Sequence, residues 1–359
     1  MDRALAITIT LLMEGILKTN GIQKLRVAFA KVPTPLAGLA LGFAALGNLL
    51  APWNAAFLVA CDVISGLLAT LIAMKALICP GLIRDDLNNS IAASVLGTLF
   101  MSIMLLSSSS AASAYVAALI IWALAVLGHC ALIVWFTARF MRTFELREVF
   151  PTYFICYVGV IVVSVTSPTF GSRALGMAFF WFGFICYVAL FALVTVRYAK
   201  HEVPEAARPL FCIYAAPMSL SLVGYLSVES TPSTAFVIIL LVLAQALYLF
   251  VLFHLPKFLK LRFYPSFSAM TFPFVISATA RSQGCSFLLS TGELSAFHQA
   301  ISMVGECLVG LETLIAVALV LFVSAHYLRF MAHEATGSKP METAEERAAD
   351  ERFEEWFED

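Results

Sequence analysis

Charge is scarce in this chain. Lys and Arg number 22 and Asp and Glu 23 among 359 residues, so 13% of the sequence is charged against 61% hydrophobic. Mean hydropathy is +0.92. That apolar load exceeds what a soluble core can bury, which excludes a water-soluble globular protein and leaves the bilayer as solvent. Catalytic motifs are missing as well: there is no His-Glu-x-x-His, no Gly-x-Ser-x-Gly, no P-loop and no dinucleotide fingerprint, so no enzyme is expected. The eight cysteines (Cys61, Cys79, Cys130, Cys156, Cys186, Cys212, Cys285 and Cys307) have neither paired nor metal-ligand spacing. They read as small apolar side chains, and no metal or cofactor is expected. With a net charge of −1 and no massed basic patch, nucleic acid binding has no support.

The cations that are present are sorted. Around about ten apolar segments of the length that crosses a hydrocarbon core, they fall in alternate loops. Arg3 to Lys31 precede the first segment, and Lys75 and Arg84 follow the second. Arg139, Arg142 and Arg147 follow the fourth, Arg197, Lys200 and Arg208 the sixth, and Lys257, Lys260 and Arg262 the eighth; Arg329 to Arg352 close the chain. Only Arg173 and Arg281 fall on the opposite side. Cytoplasmic loops retain positive charge, so the expectation is an all-α integral membrane protein with an even number of spans and both termini in the cytoplasm. The spans are placed at 33–51, 55–74, 90–106, 112–138, 150–166, 174–196, 210–228, 234–254, 265–280 and 300–326. The division is then a cytoplasmic or interfacial segment over 1–31, a membrane domain over 32–330, and an acidic cytoplasmic tail over 331–359. Ala4 to Leu17 is apolar but short and carries Glu14, which suits an interfacial helix. Phe353, Trp356 and Phe357 are spaced for one face of a solvated helix in the tail.

The odd-numbered spans begin near Val32, Ser90, Phe150, Pro209 and Pro265, about 58 residues apart. Each unit is a helical hairpin, and five such units predict pseudo-symmetric packing around an axis. The two arms differ. Odd spans are short and hold the boundary or intramembrane prolines Pro33, Pro35, Pro151, Pro209, Pro217, Pro265 and Pro273, whereas the even spans as placed contain none. Interrupted helices leave carbonyls unpaired at membrane depth, which is tolerable only inside protein or beside a lumen. Odd helices are therefore expected inside and even helices outside.

The odd spans as placed contain no Lys, Arg, Asp, Glu or His. A lumen without a fixed cation binds an ion weakly, which suits conduction, since an ion must leave as readily as it enters. Intramembrane ionisable residues are confined to even spans: Asp62, His129, Glu306 and Glu312. Each of the three acids is a candidate for coupling to protons or for pairing with a neighbouring polar group. Gly38 and Gly42 form a Gly-x-x-x-Gly pair that either packs helices closely or faces the lumen. Thr271, Ser277 and Thr279 offer hydroxyls to an anion or to their own backbone. Together with Pro151, Pro217 and Pro273 these are the pore-lining candidates. Because Pro273 disfavours helical geometry at the residue before it, Phe272 is expected at a break in an inner helix near mid-membrane.

Several runs resemble a known family. Val32-Pro33-Thr34-Pro35-Leu36-Ala37-Gly38-Leu39-Ala40-Leu41-Gly42-Phe43-Ala44-Ala45-Leu46-Gly47-Asn48 is similar to the first helix of the tellurite-resistance/dicarboxylate transporter family, whose plant relatives are slow anion channels. Phe150-Pro151-Thr152-Tyr153, Ala216-Pro217 with Tyr225-Leu226-Ser227, and Ala269-Met270-Thr271-Phe272-Pro273 agree with it. Some members have a proline where Ala40 stands, many a tryptophan where Ser268 stands, and a histidine often precedes the proline where Phe150 stands. The resemblance covers about residues 32–330. It implies a homotrimer in the plasma (inner) membrane, each protomer having ten helices in five hairpins around a central pore that a phenylalanine, here Phe272, occludes. Together with the cation-free odd spans it points to passive conduction of small anions such as chloride or nitrate. The alternative is proton-coupled transport of malate-like dicarboxylates, sulfite or tellurite-type oxyanions.

Overall fold

A computed structural model describes residues 23–291 and 296–336. The expectations for 1–22 and for the tail beyond residue 336 lie outside the described residues, as do the side chains of Glu306 and Cys307. Among the described residues every regular element is a helix.

The chain opens with α1 (23–30). The first inner rod, α2 (Leu36–Leu50), follows Pro33 and Pro35, and it ends before Pro52. Thirteen of its fifteen residues are buried, so it presents almost no face to lipid. In α3 (Ala55–Ile78) the Asn54 side chain accepts from the Ala56 N–H, supplying one of the partners that a helix start lacks. The short α4 (Pro80–Asn88) lies between the basic-loop ends of α3 and α5 (Ser90–Val95), and α5 leads into α6 (Gly97–Phe136).

Residues 90–141 form one apolar run of 52 residues, about 78 Å if straight and more than twice a hydrocarbon core. It is not straight. Ala114 has non-helical dihedrals (φ −148°, ψ 60°), and the Phe100 and His129 rings, 29 residues apart in the chain, stand 6.2 Å apart. The run therefore doubles back at Ala114.

The remaining segments alternate in character. Broken inner stretches are α7 (Thr152–Tyr157) with α8 (Val162–Thr166), the 3₁₀ turn Glu205–Ala215 with α10 (Ala216–Val228), and the 3₁₀ turn Pro265–Met270 with α12 (Phe272–Ser290). Unbroken rods are α9 (Arg173–Lys200), α11 (Thr234–Phe258) and α13 (Ala296–Thr336). Burial separates the two classes. The apolar windows of Thr152–Phe170 and Glu205–Val228 are 78% and 83% buried, those of α3, α9 and α11 only 22–28%. Among the described residues, seven helices are long and apolar enough to cross a membrane. Side chains such as Val116, Leu127, Ile185, Val242 and Phe253 stand exposed on the outer rods, where lipid tails replace water.

The breaks free backbone carbonyls, and buried side chains reach them. His129 Nε2 lies 2.9 Å from the Cys156 carbonyl; a carbonyl only accepts, so this nitrogen carries the proton. Ser277 Oγ donates to the Ala215 carbonyl, and Ser65 Oγ on α3 donates to the Ala40 carbonyl inside the unbroken α2. Several bonds join neighbouring inner segments at equivalent points of the repeat. Ser90 reaches the Glu148 carbonyl, Ser108 meets Thr169, Tyr264 reaches Glu205, Ser266 the Ala206 carbonyl, and Ser219 meets Ser277, each across 58 to 61 residues. Thr271 Oγ1 then reaches the Gly38 carbonyl, 3.2 Å away and 233 residues earlier, about four repeat lengths. This bond joins the last inner segment to the first.

Two boundaries differ from expectation. The ninth span does not stop at residue 280: α12 runs to Ser290 and carries Arg281 within it, not in a loop. α11 continues two residues past Pro256, so an outer rod does hold a proline, in its last turn where few hydrogen bonds remain to be lost.

Candidate functional site

All five inner segments contribute to one cavity of about 80 Å³. Its lining starts at the basic-loop end with Pro35, Ile91, Leu210 and Ser266 and reaches Leu41, Met101, Leu220 and Phe272 deeper in. Pro35 and Leu41 are six residues apart, so the cavity extends about 9 Å along α2. Of the 21 lining residues only Thr98, Ser266 and Ser268 have polar side chains, and none is charged. The hydroxyl of Thr98 is turned back to the Val95 carbonyl and that of Ser266 to Ala206. The walls therefore offer an ion very few fixed ligands.

Phe272 sits where the fifth inner segment changes conformation. The break falls one residue earlier than expected: Thr271 has φ −95° and ψ −80°, and Phe272 is the first residue of α12, with Pro273 behind it. Proline is well tolerated there because the first helical N–H groups have no intrahelical partner anyway. The Phe272 side chain is 8% exposed and borders the cavity. Gly38, Pro217 and Pro273 line it as well.

Gly42, Pro151, Thr271, Ser277 and Thr279 are not among the lining residues. Thr271 is fully buried between α2 and α12, donating to Ser268 and Gly38 carbonyls. Ser277 bonds Pro273 and Ala215 carbonyls and meets Ser219; Thr279 bonds the Val275 carbonyl of its own helix. Gly42 serves close approach: a Cβ there would lie 2.6 Å from Thr271 Oγ1. Gly42→Val is accordingly expected to force α2 and α12 apart at a cost of about 1–3 kcal/mol, read as a lower Tm in detergent.

Stepping back from Phe272 by the repeat length reaches Tyr214, Cys156 and Thr98, of which Thr98 borders the cavity.

Of the three candidate acids, the two with described side chains, Asp62 and Glu312, each accept a hydrogen bond. Asp62 accepts from Ser109 at 2.6 Å. Glu312, 3% exposed on α13, accepts from Arg281 Nε at 2.7 Å, and the same guanidinium donates to the Gln245 side-chain oxygen on α11. Sequence inspection placed Arg281 outside the membrane and so missed this pair. At the basic-loop end Lys75 donates to Thr34 Oγ1 and lies 3.6 Å from Asp86, next to the cavity-lining Pro35.

No curated protein matches the chain. A family profile does, over residues 31–325, the stretch in which the inner segments enclose the cavity and the last bonds back to the first. The chain belongs to the voltage-dependent anion channel family, SLAC1.

Proposed function

We propose that this protein is a passive anion channel that conducts small anions such as chloride or nitrate through a lumen enclosed by five helical hairpins, ten spans in all, with the ring of Phe272 as its occlusion. The family is one of channels and transporters. The observation that carries the reading is the cavity itself: five inner segments, an uncharged lining, and Phe272 bordering its deeper part. Without fixed charge an ion is not trapped, and an apolar ring in a narrow lumen raises the barrier to a hydrated ion. Anion preference arises outside the cavity, from the basic loops at its mouth. The same loops support a reading in which both termini lie on the cytoplasmic side of the plasma membrane. Three such protomers assemble, as the family resemblance implies.

Two candidate coupling acids are already occupied, Asp62 by Ser109 and Glu312 by Arg281, which favours passive flux over proton-coupled transport of dicarboxylates or oxyanions. The test is flux in proteoliposomes under an imposed potential, comparing chloride, nitrate and malate at two pH values. Chloride and nitrate currents are expected to reverse at their equilibrium potentials, unmoved by a pH gradient, in the wild type and in Asp62→Asn alike. Uphill flux driven by the pH gradient, and lost in Asp62→Asn, would establish the coupled transporter instead.

A further inference from the structure

The fifth inner segment is the only one with a charged residue beyond its first turns, and that residue is Arg281. Nine residues separate it from Phe272 on α12. At about 100° per residue they lie on opposite faces of the helix, roughly 14 Å apart along its axis. Phe272 faces the cavity. Arg281 faces away, into the groove between α11 and α13, where it bonds Glu312 and Gln245. Below Phe272 the chain is fixed independently, by Ser266 to the Ala206 carbonyl and by Thr271 to the Gly38 carbonyl. The non-helical Thr271, itself part of the lower anchorage, is where α12 begins.

We infer that the Arg281–Glu312–Gln245 cluster is a clamp that sets the rotation of α12 about the Thr271 break, and thereby holds the Phe272 ring across the lumen. Arg281 and Glu312 are then positioning residues of the gate. The geometry gives the reason for charge at this site. A guanidinium reaching two neighbouring helices at once fixes the angle of the rod between them, which an apolar side chain sliding in the same groove does not. Charged and hydrogen-bonded partners are costly to leave unpaired in hydrocarbon, so a rotation that parts them is strongly resisted.

The inference rests on Phe272 being the gate, and the experiment separates the two ideas. Chloride flux per folded protein is measured in proteoliposomes for the wild type, Arg281→Gln/Glu312→Gln, Phe272→Ala, and the triple variant. The double variant keeps hydrogen-bonding groups and removes both charges, so no lone charge is left buried. It is expected to raise flux about fivefold or more, the lower end of ordinary coupling between sites, and to add nothing in the Phe272→Ala background. Equal increases in both backgrounds, or no increase in the wild-type background, overturn the clamp. If Phe272→Ala itself leaves flux unchanged, it is the gate that fails. Gln245→Leu, which breaks one arm and spares the ion pair, carries the same test should the double variant not fold: a smaller rise that depends on Phe272 is expected, and no rise overturns the inference.

Discussion

Phe272→Ala is expected to raise anion conductance by about tenfold or more, the change produced by taking roughly 1.4 kcal/mol from a barrier. The ring borders an uncharged cavity and is nearly buried, so removing it opens space in the path of the ion. A core phenylalanine behaves differently: its truncation leaves a void costing about 3–5 kcal/mol and lowers stability without opening a path. Here one side of the ring already borders open space, so the loss of packing is expected to be smaller than that range. The deciding measurement is conductance of the purified variant beside its Tm and oligomeric state. Unchanged or reduced flux from an intact, folded protein removes Phe272 as the occlusion.

Arg281→Met is expected to be among the most destabilising single changes in the protein. It leaves the Glu312 carboxylate, 3% exposed, without its counter-charge, and breaking a buried ion pair from one side costs about 3–5 kcal/mol. Adding Glu312→Leu is expected to recover much of that loss, because the pair as a whole contributes little net stability while either half alone is a buried charge. Thermal unfolding of the wild type, the single variant and the double variant in the same detergent checks the order. A double variant no more stable than Arg281→Met would show that the charge pair is not what holds this site together.

Much of the arrangement was legible in the sequence because it is written in features that the bilayer enforces. Alternating basic loops and a recurring proline mark the arms, and the broken inner segments with Pro151, Pro209, Pro217, Pro265 and Pro273 follow from where the N–H groups are missing. Phe272 was placed to within one residue of the break by the proline that follows it. What escaped was partnership across helices. Arg281 read as a loop residue because a lone charge looks like the end of a span; that Glu312 and Gln245 neutralise and bind it depends on the angular register of three helices. The serine and threonine candidates escaped for a related reason. A hydroxyl in a helix serves its own carbonyls as readily as an ion, and for Thr279 only the fold shows which partner it takes.

The bond from Thr271 to the Gly38 carbonyl spans 233 residues. A ribosome delivers the chain in order, so α2 must wait, already in the membrane, until the last inner segment has been synthesised before its own flank is covered. Until then α2 and α10 are the open ends of an unfinished circle, with polar backbone at the breaks facing lipid or improvised partners. The circle closes only with the arrival of the segment that also carries Phe272.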